Sequence, residues 1–170
     1  TSKAVPEIIR ENGGEPVRTR VGHSFIKAKM AETNAVFGGE HSAHYYFRDF
    51  WRADSGMLAA MHVLAALGQQ DKPLSEMMAK YNRYAASGEI NSRLDSAEAQ
   101  ADRTEAVVKA FADRAENVDR LDGVTVELKD GNWFNVRASN TEPLLRLNVE
   151  ADTQEAVDAL VKEILAIIRA

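Results

Sequence analysis

Two short polar clusters hold the residues of this 170-residue chain that could do chemistry. The first, RASNTEP at 137–143, sets an arginine, two hydroxyls and an amide between two strand-like runs. The Arg137 guanidinium offers a planar fork of donors to a phosphate or carboxylate. Ser139, Asn140 and Thr141 add neutral donors on a segment whose composition favours a turn, and Pro143 stiffens its exit. That is the chemistry of an oxyanion clamp, although an ordinary surface hairpin uses the same residue types. The second cluster, GGEHSAH at 38–44, places two glycines, a carboxylate, a hydroxyl and two imidazoles directly after the apolar run 35–37. Gly38 and Gly39 permit positive φ or close backbone approach to a ligand. Glu40 can accept hydrogen bonds from sugar-like hydroxyls, and His44 can move a proton near neutral pH. A glycine turn with merely exposed histidines is the alternative. A metal site from Glu40, His41, His44 and His23 is a further one, but HxxH in a glycine loop lacks the helix that sets paired histidines on one face. No metal ligand is therefore assigned.

The elements that must position these clusters can be read from pattern. A helix opens the chain and ends at Gly13 and Gly14; a strand follows over 16–20, a helix over 24–32 and a short buried strand over 35–37. Met57, Leu58, Met61, Leu64 and Ala65 recur at helical spacing within 55–67, so the methionines read as core, and His62 among them as structural. Pro73 precedes another helical stretch to about residue 81. A strand-like segment over 84–94 marks the domain boundary. The second half reads as a helix over 97–114, strands over 119–123, 124–128 and 133–137, and a strand over 144–149. Asp130-Gly131 is a hairpin signal. Val157, Leu160, Val161, Ile164, Leu165 and Ile168 make an apolar stripe on a last helix, with Thr153 as N-cap and Glu155 in its first turn.

Composition narrows the classes. A formal charge of −5 argues against a general nucleic-acid or membrane-surface binder, so anion binding has to be local. There is no cysteine, hence no disulfide framework and no thiolate metal site, in keeping with a reducing cytoplasm. No apolar run approaches membrane-spanning length.

GGEHSAH followed by RASNTEP, together with VGHSFIKAKM at 21–30, resembles the carboxy-terminal part of the α-D-phosphohexomutases, nearest the phosphomannomutase/phosphoglucomutase branch. The resemblance covers nearly the whole chain. It implies a truncated three-layer α/β third domain at 1–84 and a small α+β fourth domain at 85–170, with an antiparallel sheet packed by helices. It implies that Glu40 and Ser42 contact sugar hydroxyls, that Arg137, Ser139, Asn140 and Thr141 hold the phosphate that is not reacting, and that His44 and His23 transfer protons or position hydroxyls. Ala43 stands where the family usually has glycine, and its methyl restricts φ.

The family reaction interconverts hexose 1-phosphate and 6-phosphate through a hexose 1,6-bisphosphate, using a phosphoserine loop and an aspartate-rich Mg2+ loop. No DxDxD run occurs in these residues. The expectation is a cytoplasmic chain that binds hexose phosphate and depends for catalysis on amino-terminal domains 1 and 2, in the same chain or as a separate polypeptide, with an exposed or replaced sheet edge in its first domain. A phosphoglucosamine mutase fragment and a non-catalytic sugar-phosphate-binding module are the alternatives.

Overall fold

The computed structural model describes residues 1–139 and 142–170, so Asn140 and Thr141 of the expected phosphate loop lie outside the described residues. The chain divides into two compact units, 1–83 and 84–170. Among the described residues no helix is long and apolar enough to cross a membrane.

The first unit contains α1 (Ala4–Glu11), α2 (His23–Thr33), β1 (Phe37–Gly39), β2 (Tyr45–Phe47), β3 (Ala53–Asp54), α3 (Gly56–Gly68) and α4 (Leu74–Ala79). The strands form an antiparallel sheet in the order β1-β2-β3. Ile26 and Met30 from one face of α2 meet Tyr46 from β2 in a small core. α1 stops as its sequence indicates, with Gly13 at φ 76° and the Gly14 N–H donating to the Ile9 carbonyl at 2.8 Å.

Three expectations fail in this unit. Residues 16–20 form no strand: the run joins neither sheet among the described residues, and strand composition without a ladder does not make a strand. The strand expected over 35–37 begins at Phe37, and Val36 and Phe37 are exposed because β1 is the sheet's edge. The methionines of α3 are not core: Met57 is 74% and Met61 59% exposed, and no residue of the helix is buried. Its mean composition is that of a helix covered on more than one side, but the small sheet of this unit does not cover it.

The second unit contains β4 (Ala85–Ala86), β5 (Ile90–Arg93), α5 (Ala97–Phe111), β6 (Ala115–Asp119), β7 (Val124–Leu128), β8 (Trp133–Ala138), β9 (Leu144–Ala151) and α6 (Gln154–Ile168). Its six-stranded sheet runs β4-β9-β8-β7-β6, with β5 also paired to β9, and every pairing is antiparallel. Alternation along β8 and β9 sends Phe134, Val136, Leu145, Leu147 and Val149 to one face, where Val107 and Phe111 of α5 and Val157, Leu160, Ile164 and Ile168 of α6 close over them. Ser96 and Thr153 cap the two helices by accepting from the N–H groups of Ala99 and Ala156. The β7–β8 hairpin turns at Asp130-Gly131, with Gly131 at φ 85°.

The single strand read over 84–94 is two short ones, both on β9. The strand read over 119–123 lies earlier, at Ala115–Asp119. Asp119 Oδ1 accepts from the Leu121 N–H at 2.6 Å, and this side-chain turn ends the ladder where an extended run was expected. α5 accordingly ends at Phe111, three residues before the predicted end at 114, leaving room for β6.

Candidate functional site

In the first unit the loop from β1 to β2 is held as a tight turn. The Glu40 N–H donates to the His44 carbonyl at 2.9 Å and the Ala43 N–H to the Glu40 carbonyl at 3.1 Å. Ala43 adopts φ 64°, the left-handed region in which its Cβ is strained. Gly38 is needed for packing, and neither glycine of the pair uses its freedom for positive φ. Both lie in β1, and a Cβ on Gly38 would stand 3.2 Å from Ile26 Cγ2 and from Met30 Sδ.

Glu40 is fixed from below. Tyr46 is fully buried, and its hydroxyl donates to Glu40 Oε1 at 2.5 Å, while Ser42 Oγ donates to Oε2 at 3.5 Å. Each carboxylate oxygen keeps a lone pair for an outside hydroxyl. Burial first, and then the hydrogen bond to Glu40, push the Tyr46 phenol well above its ordinary value, so the hydroxyl remains the donor.

The two histidines singled out in the sequence come together over Asp54. His44 Nδ1 lies 2.8 Å from Asp54 Oδ2 and His23 Nδ1 3.5 Å from Oδ1. Their rings meet edge-on with centroids 4.7 Å apart, and the His23 ring stands 5.4 Å from that of Tyr46. The His44 hydrogen bond, and after it the charge of His23, hold the Asp54 carboxyl below its ordinary value against an opposing effect of burial. With Nδ1 directed to the carboxylate, each imidazole is oriented and its Nε2 is left to accept or deliver a proton. Sequence reading missed Asp54: it sits one residue before the α3 N-cap, Ser55, where an aspartate reads as helix-start chemistry. His41 is exposed and stays outside this group, as does Glu40.

In the second unit Arg137, on β8, reaches Asp122 Oδ2 at 3.7 Å. Glu142, a conceivable structural partner of Arg137, lies instead 3.8 Å from Arg146. Arg146 is the residue that sequence reading missed here. The β8–β9 register sets it directly opposite Arg137, and like charges in that relation repel unless an anion lies between or near them. Arg146 Nη2 donates to Ser139 Oγ at 3.3 Å, Nη1 lies 3.5 Å from Glu89 Oε2, and the buried Nε has no partner among the described residues. The Ser139 N–H pairs with the Leu144 carbonyl at 2.8 Å, which places Ser139 at the mouth of the hairpin beside both arginines. Gly123, at φ 65°, passes under this strand so closely that a Cβ would come within 2.5 Å of the Val136 carbonyl oxygen and 2.8 Å of Arg137 Cβ. The result is a pair of facing guanidinium groups at one end of the sheet, with donors from two strands and one loop and the carboxylates of Asp122, Glu89 and Glu142 at its margin.

Comparison with known proteins agrees with this division. Residues 1–84 match the model of phosphoglucomutase/phosphomannomutase α/β/α domain III, and residues 89–167 that of the phosphoglucomutase/phosphomannomutase C-terminal domain. A phosphomannomutase of Methanocaldococcus jannaschii is 42% identical over 98% of this chain and 36% of its own length. A phosphomannomutase of Escherichia coli is 40% identical over 96% of this chain and 35% of its own. The crystal structure of a phosphoglucomutase/phosphomannomutase family protein from Burkholderia thailandensis superposes with a TM-score of 0.78 at 29% identity, covering 98% of this chain and 36% of that one. The chain thus spans about a third of the length of the relatives it matches, and it belongs to the phosphoglucomutase/phosphomannomutase family.

Proposed function

We propose that this chain supplies sugar and distal-phosphate recognition for a phosphomannomutase/phosphoglucomutase that interconverts hexose 1-phosphate and hexose 6-phosphate through a bisphosphate. The observation that carries this reading is the pairing of Arg137 with Arg146 beside Ser139 at one end of the sheet. Two guanidinium groups facing each other across a ladder, one with a buried Nε that has no partner among the described residues, suit a dianionic phosphate that engages both forks at once, whereas the carboxylates of Asp122 near Arg137 and of Glu89 and Glu142 near Arg146 stand at 3.5–3.8 Å. Arg137, Arg146 and Ser139, with Asn140 and Thr141, hold the phosphate that is not reacting. In the other domain Glu40 and Ser42 orient the sugar hydroxyls, and His44 and His23, aimed by Asp54, move or steady protons near the reacting end. The domains are 1–84 and 85–170.

Phosphoryl transfer needs a nucleophile and charge-neutralising metal in line with the phosphate. The family resemblance assigns these to domains 1 and 2, so by itself the chain should bind and not turn over, and it works where phosphorylated sugars are kept, in the cytoplasm. Mg2+ takes oxygen ligands in octahedral geometry. Among the described residues the group that converges is two imidazoles and one carboxylate, which does not fit Mg2+, and no step of this reading runs through it.

Calorimetric titration of the chain with hexose 6-phosphate, the unphosphorylated hexose and inorganic phosphate tests the reading. Hexose phosphate should bind more tightly than either fragment; equal affinity for hexose phosphate and inorganic phosphate would leave Glu40 and Ser42 without a sugar role. Comparing mannose, glucose and glucosamine phosphates then separates the branch from phosphoglucosamine mutases.

A further inference from the structure

The geometry points to His23, His44 and Asp54 as a binding site for a borderline transition-metal dication of the Zn2+ type. Each offers one donor atom, and these lie within 4.8 Å of one another. A tetrahedral zinc ion, with bonds of about 2.0–2.2 Å, needs neighbouring donors roughly 3.3 Å apart. His44 Nδ1 stands 2.8 Å from Asp54 Oδ2 and His23 Nδ1 3.5 Å from Oδ1, so each imidazole already faces the carboxylate at close to that spacing. Closing on one ion requires side-chain rotation, on a frame that is already built. Asp54 is on β3, whose register puts it opposite Tyr46. His44 directly precedes β2, and His23 is the first residue of α2, the helix whose Ile26 and Met30 pack on Tyr46.

The donor set decides the metal. Imidazole nitrogens favour zinc, nickel, cobalt and copper over magnesium and calcium, and three protein ligands with an open position match zinc sites that take an exchangeable fourth ligand. The ion would bind the Nδ1 atoms that face the carboxylate, with the one proton of each neutral imidazole carried on Nε2. Access is open, since the side chains are 54%, 42% and 33% exposed for His23, His44 and Asp54. The inference stands apart from the sugar-phosphate reading: a metal on His44 would occupy the imidazole that reading uses, so the two ligands exclude each other.

Zn2+, Co2+ and Mg2+ titrated into the chain without sugar phosphate provide the test, by calorimetry for all three and by visible absorption for Co2+. One Zn2+ per chain is expected, with a Co2+ ligand-field spectrum of four or five coordination and no binding of Mg2+. His23→Gln and Asp54→Asn should each weaken Zn2+ binding at least as much as loss of an outer-sphere partner does, about 10- to 100-fold, whereas His41→Gln should change nothing. Because Asp54→Asn also removes a hydrogen bond, melting curves of each variant accompany the titrations, and His23→Gln, at the most exposed ligand, decides the case. Zn2+ affinity unchanged in a folded His23→Gln protein, or Mg2+ bound as tightly as Zn2+, would overturn the site. Either result would leave the hexose-phosphate titrations unaffected.

Discussion

The two units of this chain are built to different standards. The second closes two helices over one face of a six-stranded sheet, with Phe111, Phe134, Leu145, Leu147, Ile164 and Ile168 wholly withdrawn from water. The first gathers Ile26, Met30 and Tyr46 into a core, supports a small three-stranded sheet, and leaves the apolar α3 without a buried residue. Backbone strain follows the same division. Among the described residues, the non-glycine positions with positive φ, Asn34, Ala43, Trp51 and Arg52, all belong to the first unit. Strain of this kind persists where the surroundings over-determine it and tends to collect at functional loops. The contrast teaches that the Arg137 and Arg146 end rests on a large core of its own, while the Glu40 and histidine end depends on a few specific contacts.

The largest expected effect tests that core. Phe134→Ala should destabilise the second unit by about 3–5 kcal/mol, read by native-state hydrogen exchange as lost protection in β7, β8 and β9. Amides of β1, β2 and β3 should exchange as before; a matching loss there would show that the units unfold together and would break the comparison.

Next comes the phosphate end itself. Arg137→Ala should weaken hexose phosphate binding by on the order of ten- to a hundredfold, the equivalent of roughly 1.5–3 kcal/mol for hydrogen bonds to a charged group. Arg137→Lys should also lose affinity, keeping the charge without the fork. If Arg137 is instead a structural partner of Asp122, calorimetry will report normal affinity and the melting temperature will fall.

Tyr46→Phe probes the specific contacts of the other unit. The ring stays in the core, so the cost is the hydroxyl donated to Glu40, about 1.5–3 kcal/mol because the acceptor is charged. Since the folded-state phenol is raised above its unfolded value of about 10, its contribution is fully present below that pH and is lost as pH rises beyond it. Urea melts of both proteins should therefore converge above pH ~10; a constant gap would assign the effect to packing.

The smallest change relieves strain. Ala43→Gly removes a left-handed alanine costing about 1–2 kcal/mol but returns freedom to the unfolded chain worth about 0.4–1 kcal/mol. A net gain of about 0–1.6 kcal/mol is expected in the same melts. Destabilisation by Ala43→Gly would mean that the alanine methyl packs usefully in the turn.

What the sequence by itself determined was whatever depends on near neighbours. The α6 stripe, its cap at Thr153, the stop at Gly13 and Gly14 and the Asp130-Gly131 turn were all legible, because each joins residues a few positions apart. The two polar loops were legible as well, since their residue types crowd into short runs. Tertiary structure alone decided the rest. Residues 16–20 had strand composition but joined no sheet among the described residues, α3 had core composition and no buried residue, and neither outcome is written in the segment concerned. Arg146 came opposite Arg137 only through the register of β8 on β9, and Asp54 came under His23 and His44 only when β3 paired with β2. Local preference follows from the covalent neighbourhood of each residue, whereas a site assembled from separate strands and helices exists only once a shared core has fixed their distances.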